Sequence, residues 1–134
     1  MSRRPALPAV LLFLVVALVA ACGSSSTGSG LPKEVDVARA AELQAAGAFV
    51  LDVREPDEWV AGHIDGATLI PLGELAGRTA EVPADREVVV VCRSGNRSAQ
   101  GRDILLDAGF DAVTSMAGGM NDWIGAGKSY VTGP

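Results

Sequence analysis

Four consecutive valines, Val88 to Val91, limit what this chain can fold into more than any other feature of its sequence. An apolar run of this length, after the polar residues 85–87, predicts a strand that is buried on both faces, as in the interior of a parallel sheet. The run ends at Cys92. A short polar loop follows, and then the sequence predicts a helix over 98–106 that is closed by Gly109. We therefore expect Cys92 at the carboxyl end of a central strand, facing the N-terminus of a helix.

This position favours the ionised form of the Cys92 side chain. The unpaired N–H groups and the positive end of a helix dipole attract an anion, and the successive N–H groups of a tight loop form a nest for the same charge. Arg93 and Arg97 add two positive charges nearby. These effects lower the pKa of a cysteine from its usual value of roughly 8.5, so we predict a reactive thiolate. The alternative is a buried, inert cysteine, which is common at strand ends.

The spacing in this loop separates two kinds of cysteine chemistry. Cysteine-based phosphatases hold a phosphate dianion in a Cys-x5-Arg loop. Here the second arginine follows as Cys-x4-Arg, and Ser98 occupies the position that a phosphatase arginine would fill. The shorter loop makes a smaller nest, which suits a single bound sulfur atom better than a tetrahedral oxyanion. An enzyme of the phosphatase or arsenate reductase kind is therefore the less favoured alternative.

The rest of the chain alternates short strand and helix signals, which is typical of a parallel sheet with helices on both faces. At 134 residues there is room for one domain only. We therefore predict the α/β class, as a single domain with a five-stranded, mainly parallel sheet. The predicted strands cover 34–37, 49–53, 67–70, 88–92 and 112–116, and the predicted helices cover 38–46, 56–60, 72–78, 98–106 and a segment that runs from after Gly119 through Trp123.

The overall charge and the cysteine count exclude several classes of protein. The net charge of −5 argues against nucleic acid as a partner. The two cysteines are too few for a disulfide scaffold. A small anionic substrate would have to be attracted by the local field of Arg93 and Arg97 against an unfavourable overall charge.

The N-terminal residues predict export rather than part of the fold. Residues 1–21 combine Arg3 and Arg4 with the apolar run 10–21, which at about a dozen residues is too short to span a bilayer. The run ends in Val19-Ala20-Ala21-Cys22, which resembles a bacterial lipobox whose cysteine is diacylated and becomes the new N-terminus. We therefore expect an exported lipoprotein, anchored by lipid on Cys22 to the outer face of the cell membrane. The alternative is an ordinary secretory signal that is cut near Ala21.

A flexible tether is predicted to follow the lipidated cysteine. Residues 22–30 contain Cys22 and a run of glycine, serine and threonine, which is typical of a flexible linker. The composition changes at Leu31-Pro32, and the folded domain is therefore predicted to cover residues 31–134.

Three ordered motifs resemble those of the rhodanese family. Residues 51–59, continued by Gly62-His63-Ile64-Asp65-Gly66-Ala67, are similar to its N-terminal signature. Residues 92–97 match its six-residue active-site loop in length, position and character, and residues 115–123 resemble its C-terminal signature. The resemblance extends over about 35–126 and implies a rhodanese-like domain with sulfurtransferase activity.

The resemblance also implies a mechanism and a set of site residues. The Cys92 thiolate would take a sulfane sulfur from a donor such as thiosulfate and pass it to a thiol or cyanide, with ping-pong kinetics. Arg93 and Arg97 would bind the anionic part of the donor. No metal or organic cofactor is needed. The alternative within the family is a sulfur carrier or sensor that accepts a persulfide from a partner protein without turnover. The substrate-binding candidates are the loop residues Arg93, Ser94, Gly95, Asn96 and Arg97.

Several residues outside the loop receive supporting roles. Asp52 ends the strand expected beside 88–92, so we predict that it orients the loop by hydrogen bonding, while Arg54 makes a structural ion pair. His63, the only histidine, corresponds to a structural turn of the family rather than to a base. Gly118-Gly119 predicts a close backbone approach near the site. Gly101, inside a predicted helix, indicates either close helix–sheet contact or a locally weak helix.

Overall fold

The computed structural model describes residues 30–134, so the predicted signal and the lipidation candidate Cys22 lie outside the described residues. Within residues 30–134, no helix is long and apolar enough to cross a bilayer. The strands are β1 (Glu34–Val35), β2 (Phe49–Asp52), β3 (Thr68–Leu69), β4 (Val88–Val91) and β5 (Val113–Met116). The helices are α1 (Val37–Ala45), α2 (Pro56–Ala61), α3 (Leu72–Arg78), α4 (Asn96–Asp107) and α5 (Gly119–Gly125), with a 3-10 turn at Thr79–Glu81.

The five strands form one sheet in the order β1-β5-β4-β2-β3, and each neighbouring pair is parallel. The valine strand β4 lies at the centre, with β2 beside it, and Asp52 is opposite Val91. The predicted α/β class and five-stranded sheet are therefore confirmed. An isolated antiparallel bridge also joins His63 to Val131 near the C-terminus.

The β4 valines explain why the sheet is covered on both faces. All four are buried, and because successive side chains of a strand point to opposite faces they divide between two apolar clusters. Val89 and Val91 pack in a cluster with residues of α1 and α5. Val88 and Val90 pack with residues of α3 and α4. Both layers exclude water from β4, so its carboxyl end is a rigid base for the residue that follows.

Gly101 allows α4 to lie close against this sheet. A Cβ at position 101 would come 3.1 Å from Cγ1 of Val90 and 3.3 Å from Cγ1 of Val53. A side chain at position 101 would therefore require these two valines to shift by a few tenths of an ångström. Close helix–sheet contact, and not a weak helix, accounts for this glycine.

Most element boundaries differ from the predicted ones by one or two residues, and two of these differences have a clear physical cause. The first strand ends at Val35 because Asp36 caps α1, accepting a hydrogen bond from the backbone N–H of Arg39 at 2.8 Å. Helix α4 begins at Asn96 rather than Ser98, because Gly95 adopts a left-handed conformation with φ of 106° and closes the loop early. The N-terminus of α4 is therefore nearer to Cys92 than the sequence indicated.

Candidate active site

Cys92 follows β4 directly and is held by the loop that connects β4 to α4. Cys92 is only 1% exposed to solvent. The backbone N–H of Gly95 donates to the Cys92 sulfur at 3.0 Å. Gly95 is required for this return of the chain, since its φ is positive and a Cβ there would come 3.3 Å from the backbone nitrogen of Gly118. The loop therefore turns back toward the sulfur.

Ser98 is a second partner of the sulfur, and it was not among the predicted site residues. Its side chain is fully buried in the first turn of α4, and its Oγ lies 3.5 Å from the Cys92 sulfur. The hydroxyl donates to the carbonyl oxygen of Gly95 at 2.9 Å. A hydroxyl carries one hydrogen, so with a neutral thiol Ser98 accepts from sulfur. When the thiol ionises, the same hydrogen can turn toward the sulfur.

These contacts decide the ionisation of Cys92. Burial raises the pKa of the thiol, but hydrogen bonds from the Ser98 side chain and from the backbone at Ser98, Gly95 and Ser94 outweigh it, so the net pKa is lowered. The sequence attributed part of this effect to the charges of Arg93 and Arg97. The geometry attributes it mainly to the hydrogen-bonding groups of the loop and the first turn of α4.

Arg97 is engaged by an acidic side chain from another helix. Its two terminal nitrogens donate to the two carboxylate oxygens of Glu58 at 2.7 and 2.8 Å. The hydrogen bond from Arg97 lowers the pKa of Glu58 to about 2, although burial opposes this shift. Glu58 in turn is fixed by the start of α2, where it accepts from the backbone N–H of Glu55 at 3.1 Å.

The two loop arginines therefore stand in different electrostatic surroundings. The charge of Arg97 is neutralised by Glu58. The side chain of Arg93 is exposed and makes no ion pair or hydrogen bond within the described part of the chain. Of the predicted donor-binding residues, Arg93 is the one with a charge still available, while Ser94 and Asn96 lie exposed on the loop surface beside it.

Comparison with known proteins decides the family. Residues 36–126 match the family model of the Rhodanese-like domain. The chain belongs to the rhodanese-like domain family. It is 36% identical over 91 residues to the thiosulfate sulfurtransferase GlpE of Pseudomonas entomophila, covering 68% of this chain and 84% of that protein. Sulfur transfer is thus an activity for which relatives of this chain are named.

Two further relatives extend the comparison. The chain is 40% identical over 76 residues to YrkF of Bacillus subtilis, named as a candidate sulfur carrier, and this match covers 57% of this chain but 41% of YrkF. The chain therefore spans less than half of that relative. A crystal structure of a rhodanese-related protein from Thermoplasma volcanium superposes with a TM-score of 0.69 at 32% identity, over 75% of this chain and 98% of that one.

In this rhodanese-like domain, two backbone N–H groups in the first turn of α5 form a clamp that holds the backbone at Cys92 and Arg93 by hydrogen bonds. The N–H of Met120 donates to the Cys92 carbonyl at 2.8 Å, and the N–H of Asn121 donates to that of Arg93 at 3.1 Å. A Cβ at Gly119 would come 2.3 Å from the Cys92 carbonyl oxygen. The predicted close approach at the glycine pair is therefore confirmed.

Asp52 lies at the end of β2, but its contact is not with the cysteine loop. Its carboxylate accepts from the Arg54 backbone N–H at 3.0 Å and from the Arg54 guanidinium at 2.7 Å. The same guanidinium donates to the carbonyl of Gly62 at 2.7 Å. The predicted ion pair of Arg54 is confirmed. Asp52 orients Arg54 and the turn at Gly62, whereas the sequence placed it against the loop.

The remaining polar candidates are structural in the rhodanese-like domain. His63 stacks on Trp59 with ring centroids 3.5 Å apart, and its Nδ1 lies 2.9 Å from the Trp59 carbonyl oxygen. Its backbone pairs with Val131. Within residues 30–134, no group of three histidine, cysteine, aspartate or glutamate side chains is placed to hold a metal ion.

Proposed function

We propose that this protein is a membrane-anchored sulfurtransferase that carries sulfane sulfur as a persulfide on Cys92. The observation that carries the proposal is the position of the Cys92 sulfur, 3.0 Å from the Gly95 N–H inside a loop at the end of the central strand. The lowered pKa of that thiol supplies the nucleophile without a general base. Because the thiolate forms without a base, the mechanism does not require His63, whose contacts are structural.

In the first transfer, the Cys92 thiolate attacks the outer sulfur of thiosulfate. A bond forms between the two sulfur atoms, the sulfur–sulfur bond of the donor breaks, and its electron pair leaves with sulfite. The negative charge moves to the terminal sulfur of the new persulfide. The N–H of Gly95 and the hydroxyl of Ser98 stabilise a negative sulfur in this loop, because hydrogen bonds to an ionised acceptor are the stronger kind.

In the second transfer, a thiolate or cyanide attacks the terminal sulfur and removes it. The persulfide bond breaks, and its electron pair returns to Cys92 as the thiolate. Arg93 attracts the anionic part of the donor in the first transfer, since its charge has no ion-pair partner within residues 30–134. Arg97 holds the loop against α2 through Glu58 and contributes little net charge.

The test is cyanolysis by the purified chain, with thiosulfate and 3-mercaptopyruvate compared as donors. We expect thiocyanate formation with thiosulfate, and a loss on the order of a thousandfold or more in Cys92→Ser. Equal rates in wild type and variant would refute the proposal. Hydrolysis of aryl phosphates without thiocyanate formation would favour the phosphatase alternative.

A sulfur carrier is the second candidate, and the similarity to YrkF favours it. Such a protein would accept persulfide sulfur at Cys92 from a partner and would not turn over with small donors. Inactivity with both small donors, together with loading of Cys92 by a persulfidated protein, would support the carrier over the enzyme.

The anchor is a separate part of the proposal and rests on the sequence around Cys22. We propose that Cys22 is acylated and that the domain is held by its tether at the outer face of the cell membrane. Labelled fatty acid should be incorporated by the wild-type chain and not by Cys22→Ala. Equal labelling of the two would remove the anchor from the account and leave the proposed chemistry unaffected.

A further inference from the structure

A cavity of about 260 Å³ adjoins the active-site loop, and one of its walls lies outside the family match. Arg93 of the loop, Met120 and Ile124 of α5, and Tyr130 line it. The match to the rhodanese-like domain covers residues 36–126, so Tyr130 belongs to a segment beyond it. We call residues 128–134 the C-terminal strap.

The C-terminal strap is fixed in place by backbone hydrogen bonds. His63 and Val131 exchange two N–H to carbonyl bonds, both of 2.8 Å. The N–H of Gly133 donates to the carbonyl of Val60 at 2.9 Å. These bonds tie the strap to α2 and to the turn after it. The wall that the strap contributes is therefore part of the folded domain.

The ring of Tyr130 is seated on Gly62. A Cβ at Gly62 would come 2.9 Å from Cδ2 of that ring, so only glycine lets the ring lie so near the backbone. Just before it in the strap, the Ser129 carbonyl accepts from Nε1 of Trp123 at 2.8 Å. The backbone on both sides of Tyr130 is thus held, and its ring faces the cavity.

One unpaired positive charge remains in this cavity. Arg54 and Glu58 also line it, but Arg54 is paired with Asp52, and Glu58 is paired with Arg97. No ion pair within residues 30–134 uses Arg93. The cavity therefore presents one available guanidinium together with apolar and aromatic lining from Met120, Ile124 and Tyr130.

Two of the side chains that line the cavity are large, apolar and exposed. Ile124 is 46% exposed and Tyr130 is 44% exposed. Clustered exposure of apolar surface beside a reactive group is typical of a binding site.

We propose that this cavity is the acceptor site, and that it selects a small organic thiol carrying one anionic group beside an apolar body. The proposal rests on the proposed sulfurtransferase function. The anionic group pairs with Arg93, and the apolar body packs on Met120, Ile124 and Tyr130. The acceptor thiolate attacks the terminal sulfur of the Cys92 persulfide, a new sulfur–sulfur bond forms, and the electron pair of the broken bond returns to Cys92.

The size of the cavity supports an organic acceptor over an inorganic one. One water occupies roughly 30 Å³ of liquid, and a cyanide ion is of comparable size. A cavity of about 260 Å³ is much larger than cyanide needs. Donor and acceptor can use Arg93 in turn, because sulfite leaves before the acceptor enters in a ping-pong reaction.

The experiment uses the full chain and three acceptors after loading with thiosulfate: 4-mercaptophenylacetate, its neutral amide, and cyanide. In a ping-pong reaction, kcat/KM for the acceptor reports the second transfer alone. We expect Tyr130→Ala to lower the ratio of kcat/KM for 4-mercaptophenylacetate to that for cyanide by about tenfold. Val131→Ala is the matched control in the same strap, since its side chain does not line the cavity, and its ratio should stay within about twofold of wild type.

A second variant tests the charge and does not depend on the strap. Ile124→Asp places a carboxylate, at an exposed position of α5, in the lining of the cavity that Arg93 also lines. It should reduce the preference for the anionic thiol over its amide by about fivefold or more. An unchanged thiol-to-cyanide ratio in Tyr130→Ala, or an unchanged acid-to-amide ratio in Ile124→Asp, would overturn the acceptor site. Absence of thiocyanate formation by the wild type would instead overturn the proposed function.

Discussion

Two buried acidic groups stand at the carboxyl ends of neighbouring strands, and the protein stabilises them in different ways. Asp52 ends β2 and Cys92 follows β4, and each residue is 1% exposed. The Arg54 guanidinium donates hydrogen bonds to both oxygens of the Asp52 carboxylate. The Cys92 sulfur instead receives a backbone N–H and lies beside a hydroxyl. The Asp52 carboxylate is therefore paired with a charged side chain, whereas the Cys92 sulfur is held by uncharged hydrogen-bonding groups.

The difference teaches how one sheet edge can hold both a structural and a reactive anion. A guanidinium in contact with Cys92 would stabilise the thiolate but would also compete with the incoming sulfur. Glu58 keeps the guanidinium of Arg97 engaged beside the loop. Arg93 remains outside, where it can meet the substrate. The following predictions test this division of roles.

The largest effect on stability is expected from breaking the structural pair. Arg54→Met leaves the buried Asp52 carboxylate without its partner and should lower the free energy of unfolding by about 3–5 kcal/mol. Urea denaturation measures this. Arg39→Met, which removes the exposed ion pair with Glu42, is the control and should change it by about 0.5 kcal/mol or less. A similar, small loss in both variants would mean that the buried pair has no special role.

The next effect comes from the clamp over the reactive group. Gly119→Ala introduces a Cβ against the Cys92 carbonyl at a backbone φ of +58°, and should lower stability by about 2–4 kcal/mol. Because the clamp positions the loop, cyanolysis should fall as well. Gly125→Ala, in the same helix with no neighbour within 4 Å, should leave both unchanged. Loss of activity in Gly125→Ala to the same extent would show that α5 acts through general stability.

A smaller effect should separate the hydroxyl from the backbone in the loop. Ser98→Ala removes the hydrogen bond that Ser98 can give to the ionised sulfur, so the pKa of Cys92 should rise. The pH profile of alkylation by iodoacetamide should move to higher pH, with a severalfold slower rate near neutral pH. Ser94→Ala keeps its backbone N–H and should retain the wild-type profile. Identical profiles for Ser98→Ala and wild type would exclude the hydroxyl as a stabilising group.

The smallest effect should come from the neutralising partner of Arg97. Glu58→Gln should cost about 1 kcal/mol of stability near neutral pH, because the pair is only partly buried. The pKa of Glu58 is about 2 in the folded protein and near 4.3 when unfolded, so this contribution is complete above about pH 4.3 and is lost as the pH falls through about 2. The difference in unfolding free energy between wild type and Glu58→Gln, followed by urea denaturation, should therefore shrink on acidification. A difference that is independent of pH would contradict the pairing.

The fold was predictable because its signals are local. The valine run, the glycines that follow α1 and α4, and the alternation of short elements all act over a few residues, and Cys92 had to lie where parallel strands end. The partners within the site were not predictable in the same way. Glu58 reaches Arg97 across 39 positions of sequence, and Tyr130 reaches Gly62 by a strap that no pattern marks. Such contacts depend on how helices pack, which composition does not record.

The sequence also contains local signs of two contacts in the site, those of Ser98 and Arg97, that its main motifs do not predict. Ser98 distinguishes this loop from the phosphatase pattern, and a serine in the first turn after a glycine is also well placed to turn back toward the loop. The family resemblance implies a donor-binding role for Arg97, but the acidic start of α2 at Glu55, Asp57 and Glu58 indicates a competing partner for its charge.

The central claim is that the Cys92 thiolate accepts a sulfur atom into its loop, and intact mass spectrometry tests it most directly. After treatment with thiosulfate, the wild-type chain should gain the mass of one sulfur, and cyanide should remove it with release of thiocyanate. Cys92→Ser should gain nothing. An unchanged mass for the wild type after both small donors and a persulfidated protein, or an equal gain in Cys92→Ser, would contradict the account.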